Sequence, residues 1–486
     1  MTSKIVQINE LEKVLCNKES TDNGVLGFFD KFKFSQLLKP FEVAKSKGYS
    51  ISLLVAVLCL FRLRGMSIWA IQKIGGAKIF EGDENSLYRL VNNSKMNWRK
   101  LLMSFAKQFI HITETYGEET KSVKCFVLDD TDLEKTGKTI EGIGKTHNHV
   151  MHKNILGFKL LTLSYWDSKS LIPTDFSLHR EKGKSGNYGM SKKELQEQFS
   201  KKREKGAPNE KRKKELDKEK PDVAISMLKR AIKNGLKAKY VLTDSWFTSD
   251  KMIKSIRSIK EGMLNMLGMC KMDNRKFSIN GKENNSKQII VMRERKYSKY
   301  SRKHKSRYIT VVGNYKGEKV KLFYIRYRNN KQWSLLLTTD LSLDFCKALE
   351  LYQIRWTIEV LFKECKQYLR LGACQNTDFD GQIADVTLTF ITHVILSLQR
   401  RFVAYETMGE LFREAQKQLL ELTLWERILI IFYKMLRQLL EVLNVDIDET
   451  IEKILQDEKA GKQLCAILNA MDNFEDNDTN YDKSVA

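Results

Sequence analysis

Tyr352, Arg355, Glu359, Lys363 and Lys366 lie in the stretch YQIRWTIEVLFKECK. At about 100° per residue they share one face of a helix, while Ile354, Ile358, Leu361 and Cys365 form the opposite stripe. Such a helix buries one side and offers polar chemistry on the other. A solvated face, with Glu359 and Lys363 as an i,i+4 pair, explains the charges alone. It does not explain why the aromatics Tyr352 and Trp356 stand at or near that face, or why cations surround a single carboxylate. A metal-holding carboxylate beside phosphate-gripping cations needs this mixture.

Two apolar runs upstream end in acids. Residues 124–132 read KCFVLDDTD, a buried strand closing on Asp129 and Asp130. Residues 238–244 read AKYVLTD and run on into Ser-Trp-Phe, a second strand closing on Asp244. Taken singly, an Asp at a strand end is more often a turn or helix-cap residue.

The spacing Y-x2-R-x3-E-x6-K, carried by Tyr352, Arg355, Glu359 and Lys366, resembles the signature of the insertion-sequence-four family of bacterial DDE transposases. The resemblance makes Glu359 the third catalytic carboxylate and calls for two acids upstream. That family writes its first acid as an Asp followed by Thr, which selects Asp130, with Asp129 as the near competitor. Asp244 becomes the second acid. Phosphodiester cleavage and strand transfer are in-line displacements at phosphorus, served by two divalent ions about 4 Å apart. Hard oxygen ligands select Mg2+ or Mn2+. The fold implied is α/β (α+β), a ribonuclease-H-like mixed-sheet core. Tyr352, Arg355 and Lys366 would contact DNA phosphates, with Lys363 assisting and Trp356 beside the terminal base. Trp333, in QWSLLLTTD, matches the place where related transposases carry a tryptophan that receives a flipped base; a core tryptophan at a strand start is the other reading.

Composition agrees with a nucleic-acid partner. A formal charge of +24 attracts phosphate, and each phosphate contact releases counterions. Residues 293–307, RERKYSKYSRKHKSR, interleave tyrosines with cations that can stack on bases or pack on sugars. Residues 192–220 mix both signs and read as a solvated helical pair broken near Gly206 and Pro208. The eight cysteines are scattered with no CxxC pair, as expected for reduced thiols inside a cell. His147, His149 and His152 lack a second group of ligands and are read as strand-entry or DNA-facing residues. The amino terminus lacks the pattern of a signal peptide, and the apolar run 51–62 is too short to span a bilayer. The expected place is the bacterial cytoplasm, on the nucleoid, with no membrane partner.

The chain divides by periodicity. Residues 1–118 read as a helical domain that, by the resemblance, binds the transposon end. Residues 119–375 hold the catalytic core, with strands expected at 124–128, 155–166, 171–178 and 239–243 and a helix near 251–260. A β-rich subdomain, by the same resemblance, is inserted at 262–345, with strands at 288–292, 308–313, 320–327 and 333–338. Residues 376–486 read as helices, including 383–400 and 424–442, with an acidic tail. The resemblance implies cut-and-paste transposition through a hairpin, by a homodimer joining transposon ends to target DNA. A nuclease that cuts without joining, and a silent transposase-derived repressor, are the alternatives.

Overall fold

Residues 125–128, 240–243 and 265–270 are short apolar runs buried almost throughout, and they become neighbouring strands at the centre of one sheet. The computed structural model describes residues 34–402 except 45–47, 64, 66, 70–83, 117–122, 149–150 and 329. Expectations for residues 1–33, the helix at 424–442, the acidic tail and His149 lie outside the described residues.

Helices α1 (Phe34–Leu38), α2 (Ile51–Leu63), α3 (Glu84–Val91) and α4 (Trp98–Tyr116) precede the sheet. Strands β1 (Cys125–Glu134), β2 (Gly144–Asn148), β3 (Lys153–Trp166) and β4 (Leu171–His179) follow. Next come α5 (Lys192–Glu197), α6 (Pro208–Glu215), α7 (Lys220–Lys233), β5 (Tyr240–Thr243), α8 (Asp250–Ser258) and β6 (Asn265–Cys270). The chain continues through β7 (Lys276–Ile279), β8 (Lys282–Asn285), α9 (Ser286–Tyr297), β9 (Lys299–Ser301), β10 (Ser306–Tyr315), β11 (Glu318–Tyr327) and β12 (Ser334–Thr338). Three helices close it: α10 (Phe345–Gln353), α11 (Trp356–Tyr368) and α12 (Phe379–Phe402).

The sheet runs β2-β3-β1-β5-β6-β12-β11-β10-β7-β8, with β4 also on β3 and β9 on β10. β1, β3 and β4 are antiparallel neighbours, whereas β5 and β6 run parallel to β1. The strands after β6 extend this same sheet through the antiparallel pair β6–β12. The result is a mixed α/β protein built on one large mixed sheet. α12 packs across α2, α4 and β4. It alone among the described residues has the length and apolarity of a membrane span, and that stretch is wholly buried in the protein. Its Thr387, Thr389 and Thr392 hydroxyls each donate to the carbonyl four residues back, at 2.8–3.0 Å, which lets polar residues sit in that core.

Two expectations fail. Residues 288–292, QIIVM, are not a strand but the middle of α9. Asn285 caps that helix by accepting from the Gln288 N–H at 3.0 Å, and Gln288 returns the contact to the Asn285 N–H at 2.9 Å. This capping box overrides the β-branched run. Residues 192–220 do break between two helices, α5 and α6, but the pair is not simply solvated. Arg212 and Glu215 are buried in an ion cluster with Arg99 of α4, Asp175 of β4 and Arg230 of α7.

Asp175 is the centre of that cluster. Its Oδ1 is 3.0 Å from Arg99 Nε and its Oδ2 2.7 Å from Arg230 Nη2. Burial pushes this carboxyl up, but Arg99, Arg230 and Arg212 outweigh it and hold it at about 2. A folded value below the unfolded one, near 4, gives stability that is full above about pH 4 and lost as pH falls towards 2. Asp175→Asn should therefore cost about 3–5 kcal/mol at pH 7 by urea unfolding, with the deficit shrinking at acid pH. A loss below 1 kcal/mol at pH 7 would mean the arginines do not depend on it.

Candidate active site

The parallel pairing of β1 with β5 sets Leu128 opposite Thr243, so Asp129 and Asp244, one residue further, stand side by side where β5 ends. The strand expected to close at Asp129 and Asp130 instead runs on to Glu134, because β3 keeps pairing with it through both acids. Asp244 ends its strand in a tight turn. Its Oδ1 accepts the Trp246 N–H at 3.0 Å and the Phe247 N–H at 3.1 Å, and Thr248 donates to its carbonyl at 2.8 Å. Phe247 is buried and anchors the turn. Gly268 on β6 permits this closure, because a Cβ there would strike the Thr243 and Thr248 hydroxyls. On β1, Asp129 Oδ1 accepts the Asp130 N–H at 2.8 Å.

The third contribution comes from α11. The stretch 352–366 is not one regular helix: α10 ends at Gln353 and α11 starts at Trp356. The link keeps right-handed helical backbone at Ile354 and Arg355 but uses i to i−3 bonds, from the Arg355 N–H to the Tyr352 carbonyl and from the Ile358 N–H to the Arg355 carbonyl. This tighter turn shifts Tyr352 relative to the residues that follow. Arg355, at the helix entrance, then reaches two acids: Nη1 is 2.8 Å from Asp129 Oδ2 and Nη2 is 2.6 Å from Glu359 Oε1. Two α11 turns beyond Glu359, Lys366 Nζ donates to Thr131 Oγ1 at 2.8 Å.

Asp129, Asp130, Thr131, Asp244, Arg355, Glu359, Phe362, Lys363 and Lys366 line one cavity of about 480 Å³. The electrostatics show how crowded it is. Burial, reinforced by Asp244 and offset in part by Arg355, lifts the Asp129 carboxyl to about 7. Burial also raises Asp244, against the two backbone N–H groups that favour its charge. Burial pushes the Tyr352 phenol up to about 12, so Tyr352 is a neutral hydroxyl beside Arg355. Burial lowers Lys366, with Asp132 acting the other way.

Of the residues singled out from the sequence, Asp129, Asp130, Asp244, Arg355, Glu359, Lys363 and Lys366 converge here. Tyr352 lies against Arg355, its ring centroid 5.8 Å from the guanidinium, and Trp356 stands out to solvent. Trp333 does not line the cavity. It precedes β12, half-buried under the Arg326 guanidinium at 4.7 Å, and pairing of Leu335 with Cys270 puts the start of β12 at the sheet end that bears Asp244. His147 is on β2 with its Nδ1 3.2 Å from Asn154 Oδ1. Nothing in the sequence marks Lys220 as a site residue, yet its Nζ is 2.6 Å from Asp130 Oδ2. It sits in a charge-rich run ninety positions from its partner, where no periodicity marks it.

The donors suit a hard divalent cation: carboxylate oxygens only, in a polar, open cavity. Among the described residues no group of three Asp, Glu, His or Cys side chains stands ready to ligate an ion. Arg355 and Lys220 instead hold oxygens of Asp129, Glu359 and Asp130, so a metal ion would exchange places with these cations.

Two family models match the chain. The DDE superfamily endonuclease model covers residues 65–260, which include Asp129, Asp130 and Asp244. The transposase DDE domain model covers residues 217–395, which include Asp244 and Glu359. No match is found among curated proteins. The two matches support a DDE transposase, an enzyme of nuclease type that acts on DNA; domains of this kind are generally dependent on divalent metal.

With its carboxyl raised to about 7 from an unfolded value near 4, Asp129 is harder to ionise in the folded protein. Metal-free protein therefore loses stability as pH rises from 4 through 7, and the loss persists above. In chelator, Asp129→Asn should match wild type near pH 4 and exceed it by on the order of 2–4 kcal/mol at pH 8, read by denaturant unfolding. A variant less stable than wild type at pH 8 would contradict this.

Proposed function

We propose that this chain is a cut-and-paste DNA transposase whose catalytic carboxylates are Asp130, Asp244 and Glu359, with Asp129 the alternative first acid. The convergence of these acids from β1, the end of β5 and α11 on one cavity carries the reading. The strand order β4-β3-β1-β5-β6, antiparallel through β1 and then parallel, is the order expected of a ribonuclease-H-like core and supports it.

Asp130, Asp244 and Glu359 would hold Mg2+ or Mn2+, which when bound activates the attacking oxygen and stabilises the leaving one. The rest falls to the chain itself. Asp244 is held by the backbone N–H groups of residues 246 and 247, which leave its Oδ2 for ligation. Arg355 orients Asp129 and Glu359, and once those oxygens are engaged it can turn to a backbone phosphate. Lys363 and Lys366 face the same cavity as point charges for the DNA backbone, and Tyr352 supplies a neutral hydroxyl beside them. Trp356 is exposed at the start of α11 for contact with a base. The place of Trp333, at the sheet end of Asp244, supports a role in accepting the flipped base of a hairpin step. DNA ends would be bound by the helical flanks in a homodimer on the bacterial nucleoid.

The test is metal-dependent cleavage of plasmid DNA carrying the element's ends. Asp244→Asn and Glu359→Gln should each lower cleavage by about three orders of magnitude while DNA affinity stays within a few-fold of wild type. Comparing Asp129→Asn with Asp130→Asn identifies the first acid as the variant with the larger loss. Cleavage that survives both Asp244→Asn and Glu359→Gln would overturn the proposal.

A further inference from the structure

Lys220 and Trp246 meet at the rim of the acid cavity. The Lys220 ammonium, on the first residue of α7, is 2.6 Å from Asp130 Oδ2 and 4.2 Å from the centroid of the Trp246 ring. It is thus held between a carboxylate and an aromatic face, with its side chain 14% exposed. Trp246 itself is 42% exposed. Its position comes from the Asp244 turn, through its own N–H bond to Oδ1, and from an edge-on contact of 4.7 Å with buried Phe247. An indole kept partly in water and fixed to a catalytic-type carboxylate is placed for a ligand rather than for core packing.

Lys220 balances Asp130 only while no other cation does. Once the Asp130 carboxylate ligates a divalent ion, the ammonium beside it becomes surplus positive charge, still tethered within reach of an anion. Its departure also uncovers the indole face. A cation and an aromatic face side by side match one chemical class, a nucleotide, with its phosphate on the lysine and its base on the ring.

We propose that Lys220 and Trp246 form a subsite for an unpaired nucleotide next to the scissile phosphate: Trp246 stacks on its base, and Lys220 exchanges Asp130 for its phosphate when the metal ion binds. This rests on the reading of the acid cavity as a site of DNA cleavage. It involves a tryptophan on a different strand end from Trp333.

The experiment uses the full chain and two readouts besides cleavage. Fluorescence anisotropy with Mn2+ present compares a labelled duplex carrying a short single-stranded overhang of mixed sequence with its blunt counterpart, across a salt series. Calorimetry measures Mn2+ binding without DNA. W246L should weaken overhang binding about tenfold and leave blunt binding unchanged, whereas W246F keeps most of the overhang affinity, since both variants put a smaller apolar side chain there but only one has a π face. K220M should lower the salt slope by about one and tighten Mn2+ binding several-fold, because the ion no longer competes with the ammonium. Equal overhang binding by W246L and W246F, or Mn2+ affinity that is unchanged or weaker in K220M, would overturn the subsite. Failure of the wild-type chain to bind either duplex or Mn2+ would instead remove the cleavage reading, and the subsite with it.

Discussion

Carboxylates gathered at the end of a sheet repel one another, and the site depends on how that repulsion is balanced. Asp129, Asp130, Asp244 and Glu359 share one half-buried cavity. Without counter-charge, burial and mutual repulsion would drive protons onto them, and Asp129 at about 7 shows how far this goes even with Arg355 beside it. Two cations supply the balance: Arg355 bridges Asp129 and Glu359, and Lys220 covers Asp130. On the proposed reading these are the oxygens that a divalent ion would take, and Arg355 and Lys220 already hold them with positive charge. Metal binding there would then be an exchange of cations rather than the creation of a new charged site.

The surrounding structure places those cations. Arg355 reaches both acids because the link between α10 and α11 tightens into i to i−3 bonds at the point where the helix meets β1. Lys220 begins α7, a helix anchored through Arg230 to the buried Asp175 cluster that also joins α4, β4 and α6. Electrostatic order two strands across the sheet from the cavity thereby fixes a lysine at its rim. The parallel pair β1–β5 fixes the carboxylates in the same way, since register alone brings Asp129 and Asp244 together.

Much of this was readable in the sequence, for physical reasons. The apolar runs before Asp129 and Asp244 announce buried strands, and the acids appear where that burial stops: at the end of β5 for Asp244, and at mid-strand in β1, which only the pairing with β3 carries on to Glu134. The 3.6-residue period around Glu359 put Arg355, Glu359, Lys363 and Lys366 on one side, and all four line the cavity. What stayed hidden depended on long-range or local detail. Lys220 lies among charges of both signs, and only the fold tells it from its neighbours. The helix at Gln288 looked like a strand because Ile289, Ile290 and Val291 favour one, yet only Ile289 and Ile290 are buried while Val291 is exposed, as a helix requires. The tightened link at residues 354–355 leaves no trace in composition at all.

The proposed metal site is one whose acid oxygens Arg355 and Lys220 hold in reserve. Anomalous diffraction from crystals grown with Mn2+ tests it most directly. Manganese should appear between Asp244, Glu359 and the oxygens of Asp130 or Asp129, with Lys220 or Arg355 turned away from the carboxylate it held. Manganese elsewhere, or an empty cavity with both cations still paired to the acids at saturating metal, would contradict it.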